Sequence, residues 1–215
     1  MTLTVVVQPH PLLDAGAFVC RLDRDLSTTT TPDAVRQLAS PGAAGPLNSS
    51  EAVKTAVRDL LRAGGFKPAG RSKPASEYLT AAIAEGRFPT INALVDACNV
   101  ASLHSGLPIS LVDLDKTSGA LAIQLAPAGT TYPFNPTGQV IDVSGLLCLY
   151  DELGPTGTPV KDAQRTKTHD GTRNAIAIVW GSSALGDRTA MTTRWYRELC
   201  AAIPGCAIED VALSR

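Results

Sequence analysis

Three histidines in 215 residues, His10, His104 and His169, leave little material for a metal centre or a nucleophilic triad. They fall in a Pro-rich loop, near a helix end and in a polar loop, and no G-x-S-x-G elbow accompanies them. No His-x-Glu, Glu-x-x-His or Cys-x-x-Cys spacing occurs either, which removes the common zinc patterns and leaves no metal or other cofactor to expect. The chain has no P-loop and no internal repeat. It also lacks a charge surplus: 19 Lys and Arg stand against 20 Asp and Glu, a net charge of -1. With no attracting field over the whole molecule, any affinity for nucleic acid has to come from local clusters. The opening residues, MTLTVVVQPHPLLDAG, have no basic start, and their apolar run is too short for a signal peptide or a membrane span. A cytoplasmic protein without a membrane partner is the expectation.

What is present is enough apolar material for a core. At 44% hydrophobic and 18% charged composition, 215 residues suit one domain, or two lobes on a shared core. The five cysteines, Cys20, Cys98, Cys148, Cys200 and Cys206, are scattered and mostly flanked by apolar residues, which suits buried, reduced thiols.

Short β-branched runs at 4–7 and 17–22 read as strands, interrupted by Pro9, Pro11 and Gly16. Residues 27–49, rich in Thr, Pro, Gly and Ala, read as loop or weak helix. Asn48 with Glu51 fits a capping box, and Val53, Ala56, Val57, Leu60 and Leu61 recur at helical spacing up to Gly64 and Gly65. Further helices are predicted over 76–85 and 91–105, the second stopped by Gly106 and Pro108. Beyond Pro108 come short β runs, ISLVD, GALAIQLA, GQVIDV and GLLCLYD, then the apolar run NAIAIVWG at 174–181 and a closing amphipathic helix over 189–202. Helices gathered first and strands gathered later indicate an α+β fold, since regular βαβ alternation is missing.

Several groups could carry chemistry. Asn92, Asp96 and Asn99 are spaced to share one face of a helix over 91–105, either as a ligand-holding stripe or as a solvated face and caps. Asp113 and Asp115 lie on one side of the strand ISLVDLD, suited to acid–base work or, more simply, to capping the turn that follows. Two short windows, 67–73 with Lys67, Arg71 and Lys73, and 160–174 with Lys161, Arg165, Lys167 and Arg173, hold seven of the nineteen basic residues. The second window interleaves its cations with Gln164, Thr166, Thr168 and Thr172, as phosphate-rich ligands require. Each window alone could be an ordinary basic loop, so the question is whether they converge in space. GSSALG, at 181–186, reads as turn residues.

The run INALVDACNVASLHSGLPISLVDLDK, followed by a Gly turn and the strand LAIQLA, resembles the tRNA-editing B-three/B-four domain of the phenylalanyl-tRNA synthetase beta subunit. Ile91, Asn92, Val95, Asp96, Asn99, Gly106, Pro108 and Asp113 carry the pattern, and THDGTRNAIAIV adds the family's later turn and apolar strand through Thr172 and Asn174. The resemblance covers roughly 73–198. It implies mixed β-sheets packed as a sandwich with helices on one side, as a single domain of 1–215 in which 1–65 is an N-terminal extension and 66–200 the editing-domain-like core. The chain carries none of the synthetase motifs, so it resembles a free-standing relative of the editing domain.

In the synthetase that domain hydrolyses tyrosine wrongly attached to phenylalanine tRNA. The resemblance therefore implies an aminoacyl-tRNA deacylase acting in trans, with tRNA or aminoacyl-tRNA, and not DNA, as partner. Ser110, Gln164 and Thr166 would be catalytic, Asn92, Asp96, Asn99 and Thr189 would hold the amino acid, and Lys67, Arg71, Lys73, Arg165 and Lys167 would hold phosphates. Ser110 stands where the family has a histidine, and Gln164 where it has a glutamate that reads the tyrosine hydroxyl. A hydroxyl is a poorer general base than imidazole, which keeps two other functions in view: a non-catalytic tRNA or amino-acid binding module, and a small-molecule hydrolase reusing the pocket.

Overall fold

A computed structural model describes residues 2–214, Arg71 through its backbone alone. The chain opens with strands β1 (Leu3–Val7) and β2 (Leu13–Leu22) and continues through helices α1 (Asp33–Leu38), α2 (Glu51–Arg62), α3 (Ala75–Ala84) and α4 (Ala93–Ser105). Strands β3 (Ile109–Asp113), β4 (Leu121–Leu125), β5 (Thr131–Pro133), β6 (Val140–Asp142), β7 (Leu147–Asp151), β8 (Gly154–Gly157) and β9 (Asn174–Ser182) follow. Helix α5 (Arg188–Ala201) and strand β10 (Cys206–Ser214) complete it.

The helices form where apolar spacing meets a cap. In α2, Val53, Val57, Leu60 and Leu61 are buried on one side, and the Ser50 hydroxyl accepts the Val53 amide. The cap is thus Ser50, two residues after the predicted Asn48. Helix α4 starts later than 91 because Asn92 is its N-cap, its side chain accepting the Val95 amide at 3.0 Å. It stops at Gly106, whose φ of 72° lies in the left-handed region that glycine adopts freely. Of the two readings of Asn92, Asp96 and Asn99, the bonds of the first two fit caps and not a ligand-holding stripe. Asn92 precedes the helix, and Asp96 is only 5% exposed, on a helix buried on nearly every side.

Eight strands hydrogen-bond in the order β3-β9-β2-β10-β1-β4-β7-β8, and β5 pairs only with β6. β1 pairs in parallel with β10 and β4, and the other neighbours run antiparallel. The mixed α+β class agrees with expectation. β10, for which the sequence reading gave no element, joins the two halves of the sheet: Cys206–Asp210 pair with β2, and the residues from Val211 to Ser214 pair with β1. The first two strands, β1 and β2, accordingly sit in the middle of the sheet. Among the described residues no helix is long and apolar enough to cross a membrane.

The helical layer presses close to one face of β2 and β9. Phe18 on β2 meets Tyr196 on α5 edge to face, with ring centroids 4.9 Å apart. Beside them, two glycines make room for two threonines of α5. A Cβ added at Gly16 would stand 2.0 Å from Thr193 Oγ1, and one at Gly181 would stand 1.8 Å from Thr189 Oγ1. Replacing Gly16 with Ala is expected to lower stability by about 1–3 kcal/mol through overpacking. In urea denaturation Thr193→Ala should recover most of that loss, and simple additivity of the two changes would contradict the contact.

Candidate functional site

The edge strands β3 and β8 come together along a seam made by the loop that follows β8. Ser110 on β3 is fully buried, donates from Oγ to the Thr158 carbonyl at 3.1 Å and accepts from Trp180 Nε1 at 2.9 Å. The Asp162 carboxylate accepts the Leu111 amide at 3.1 Å on one oxygen and the Thr158 amide at 3.2 Å on the other. Further along, Val112 bridges Lys167. Thr166 is fully buried too, its hydroxyl donating to the Thr156 carbonyl at 3.1 Å.

Burial of the Asp162 carboxyl, though the residue keeps some surface open, pushes its pKa up to about 6 against the pull of the Leu111 and Thr158 amides. Burial likewise lowers the pKa of Lys167, whose ammonium donates to the Phe134 carbonyl at 2.6 Å.

Beside this seam is a cleft of about 330 Å³ lined by Ser72, Phe134, Gln139, Val140, Ile141 and Lys161. One residue of each basic window, Ser72 and Lys161, lines it, and just beyond the windows a backbone hydrogen bond runs from Ala75 N–H to the Pro159 carbonyl at 3.1 Å. The Lys161 ammonium sits 3.9 Å from the centroid of the Phe134 ring, and the Tyr132 hydroxyl donates to the Lys161 carbonyl, fixing that turn. Lys67 and Lys73 are exposed. Gln164, partly exposed, keeps a buried Oε1 with no hydrogen-bond partner among the described residues. The side chain of Arg71 lies outside the described residues.

Other sequence-predicted residues have different employment. Arg165 forks onto Asp151, Nη1 to Oδ2 at 2.9 Å and Nη2 to Oδ1 at 2.6 Å, and also donates to the Gly154 carbonyl. Burial pushes the Asp151 carboxyl up, but the Arg165 bonds outweigh it and hold the pKa below its ordinary value. Asp113 accepts the Asp115 amide and the Thr172 hydroxyl, and Asp115 accepts from the Asn174 amide group, so this pair caps turns. Asp96 accepts from the Thr31 hydroxyl at 2.6 Å and the Ile91 amide at 2.8 Å, which pins the chain entering α4.

Strand alternation separates the predicted set. Ser110 pairs with Ile178 and so shares a sheet face with it, whereas Gly181, three positions on, points to the opposite face. Thr189 packs against Gly181, and Cys98 of α4 reaches the carbonyl of Ile109. Thr189 is therefore on the helical face, away from Ser110. Asn92, Asp96 and the partly exposed Asn99 belong to the helical layer with it. The site residues that sequence reasoning missed are Asp162, Phe134 and Tyr132. Only the pairing of a strand with a loop some fifty residues later brings them in, and no local spacing marks that. Among the described residues no group of three or more His, Cys, Asp and Glu is placed to hold a metal ion.

The two segments that carried the resemblance are thus bonded to each other, Thr172 to Asp113 and Asn174 to Asp115. A family model described as the B3/4 domain matches residues 67–212. The chain belongs to the B3/4 domain family. Among solved structures it is similar to an N-terminal fragment of the phenylalanyl-tRNA synthetase beta-subunit from Pyrococcus horikoshii, with a TM-score of 0.54 at 10% identity. That match covers 98% of this chain and 52% of the other, so this chain spans about half the length of the fragment, and at that identity the likeness concerns the fold. No curated protein matches it. The matched B3/4 stretch begins after α2, so β1, β2, α1 and α2 lie ahead of it.

The Asp162 carboxyl gives this B3/4 domain a pH signature. Its folded pKa of about 6 is above the ordinary 3.8, so the protonated form favours the native state. The resulting stability is fully present below about pH 4 and disappears as pH rises through about 6, a change of about 3 kcal/mol. Chemical denaturation from pH 4 to 7 should show this slope in the natural chain and lose it in Asp162→Asn. Parallel curves for the two would refute the assignment.

Proposed function

We propose that this B3/4 domain binds the aminoacylated 3′ end of a tRNA in the cleft between Ser72 and Lys161, as a recognition module that does not hydrolyse its ligand. The observation that carries the reading is that Ser72 of one basic window and Lys161 of the other line one cleft, with the Ala75–Pro159 hydrogen bond holding the neighbouring backbone together. Exposed Lys67 and Lys73, with Arg71 between them in sequence, supply charge for the phosphates of the single-stranded end. Phe134 and the Lys161 stem offer a platform for a base or an aromatic side chain. Arg165 and Lys167 are assigned to holding the loop, since the first forks onto Asp151 and the second donates to the Phe134 carbonyl. The buried hydroxyls of Ser110 and Thr166 have no open surface from which to reach an ester.

One observation favours a second reading, hydrolysis in trans of an aromatic amino acid mischarged on phenylalanine tRNA. A carboxyl with a pKa of about 6, as at Asp162, is suited to take a proton from water near neutral pH. Here the ester would be attacked by an Asp162-oriented water, with Ser110, Gln164 and Thr166 shaping its surroundings.

Filter binding of tyrosyl- and phenylalanyl-tRNA should give an affinity that falls with salt. Replacing both Lys67 and Lys73 with Ala should weaken it about tenfold and reduce the log–log salt slope by about 1.4, the value for two phosphate contacts on a single strand. Affinity independent of salt would refute the binding reading. Deacylation by substoichiometric protein, lost in Asp162→Asn while tRNA binding persists, would replace the first reading with the second.

A further inference from the structure

Ser72 faces the tRNA cleft, but Pro74, two residues on, faces a different cavity. This second space, about 470 Å³, opens between α2 and α3, within the range of about 300–1,000 Å³ typical of small-ligand pockets. One wall comes from residues 49–57, ahead of the stretch matched by the B3/4 family. Gly106 closes the inner side against that wall; a Cβ there would stand 2.6 Å from Ser49 Oγ. Val57, Pro74, Ala81 and Ala84 supply an apolar lining.

The charges on the two walls balance. On α2, Lys54 meets Glu51 at 3.2 Å, an open pair with the two side chains 37% and 86% exposed. Across the cavity, Glu77 on α3 is held by both nitrogens of an Arg58 fork, at 2.7 Å each, in a pair only 28% and 14% exposed. An anion alone would face Glu51 and Glu77, and a cation alone would face Lys54 and Arg58. A ligand carrying both signs meets neither conflict. Between the walls is Ser76, 4% exposed and lining the cavity, whose hydroxyl has no partner among the described residues. The first amides of α2, which no helical carbonyl can satisfy, lie at the rim beside Ser50 and Glu51.

We propose that this cavity is a binding site for a small zwitterion, an α-amino acid with an aliphatic side chain. Its carboxylate takes the place of Glu51 on Lys54 and accepts from Ser76 and the first turn of α2. Its ammonium donates to the lone pairs of Glu77 that Arg58 leaves open, and its side chain lies on Val57, Ala81 and Ala84. The site shares no lining residue with the tRNA cleft, and the inference does not rest on that reading.

Calorimetric titration of the full chain with L-leucine, 4-methylpentanoate and 3-methylbutylamine tests it, the last two presenting the acid and the amine separately. Leucine should bind saturably, and each single-charge analogue at least about tenfold more weakly. Ala84→Phe, on an exposed position of α3, should abolish leucine binding and leave the thermal midpoint and tRNA binding unchanged. Ser76→Ala should weaken leucine about fivefold, the equivalent of one hydrogen bond. The Lys67→Ala, Lys73→Ala double variant should bind leucine as before, which separates a failure here from a failure of the tRNA reading. No saturable binding up to about 10 mM, binding of the acid or amine as tight as leucine, or binding that survives Ala84→Phe would each overturn the proposal.

Discussion

The Asp162 carboxylate accepts one amide from the free edge of β3 and another from the loop just beyond β8, and so joins the two ends of an eight-stranded sheet. Edge strands present unpaired N–H and C=O groups that need to be covered. Here a single side chain covers Leu111 and Thr158 together, and the Ser110 hydroxyl adds a bond to the Thr158 carbonyl. The arrangement needs a small residue at 110. A Cβ added at Gly157 would stand 3.1 Å from the Cβ of Ser110, so a bulkier group on either side would push the edges apart. The buried Trp180 N–H also depends on this hydroxyl as its acceptor.

That constraint accounts for the bonds made by Ser110 and Thr166. The Ser110 hydroxyl is employed in closing the seam, donating to the Thr158 carbonyl and accepting from Trp180. Thr166 and Arg165 extend the same work into the loop, one bonding back to Thr156 and the other clamping Asp151 at the end of β7. What remains chemically open lies on the outer side of that loop, where Lys161 covers Phe134 along the wall of the cleft.

Much of the fold was legible because local chemistry and tertiary demand agree there. The apolar spacing of Val53, Val57, Leu60 and Leu61 marks α2, Gly106 marks the end of α4, and the β-branched run of β9 reads as a central strand and is one. The sequence left alternatives open where one residue type serves two purposes. Asn92 and Asp96 look like members of a helical stripe, but one caps the helix and the other anchors the segment before it. β10 escaped notice because Glu209 and Asp210 interrupt its apolar pattern, and its strand character depends on partners almost two hundred residues earlier.

By itself, the sequence determined the helices other than α1, most of the strands, the two basic windows and the B3/4 resemblance, since each rests on periodicity, caps or short motifs close together in the chain. Only the tertiary structure decided which of those features share a site. It brought Ser72 beside Lys161 and placed Thr189 on the opposite face of the sheet from Ser110. It also committed Arg165 to Asp151 and crowded Asp162 into the seam. These outcomes depend on strand register and sheet closure, which relate residues far apart in the chain, and a change of one position in register reverses the face of every side chain in a strand.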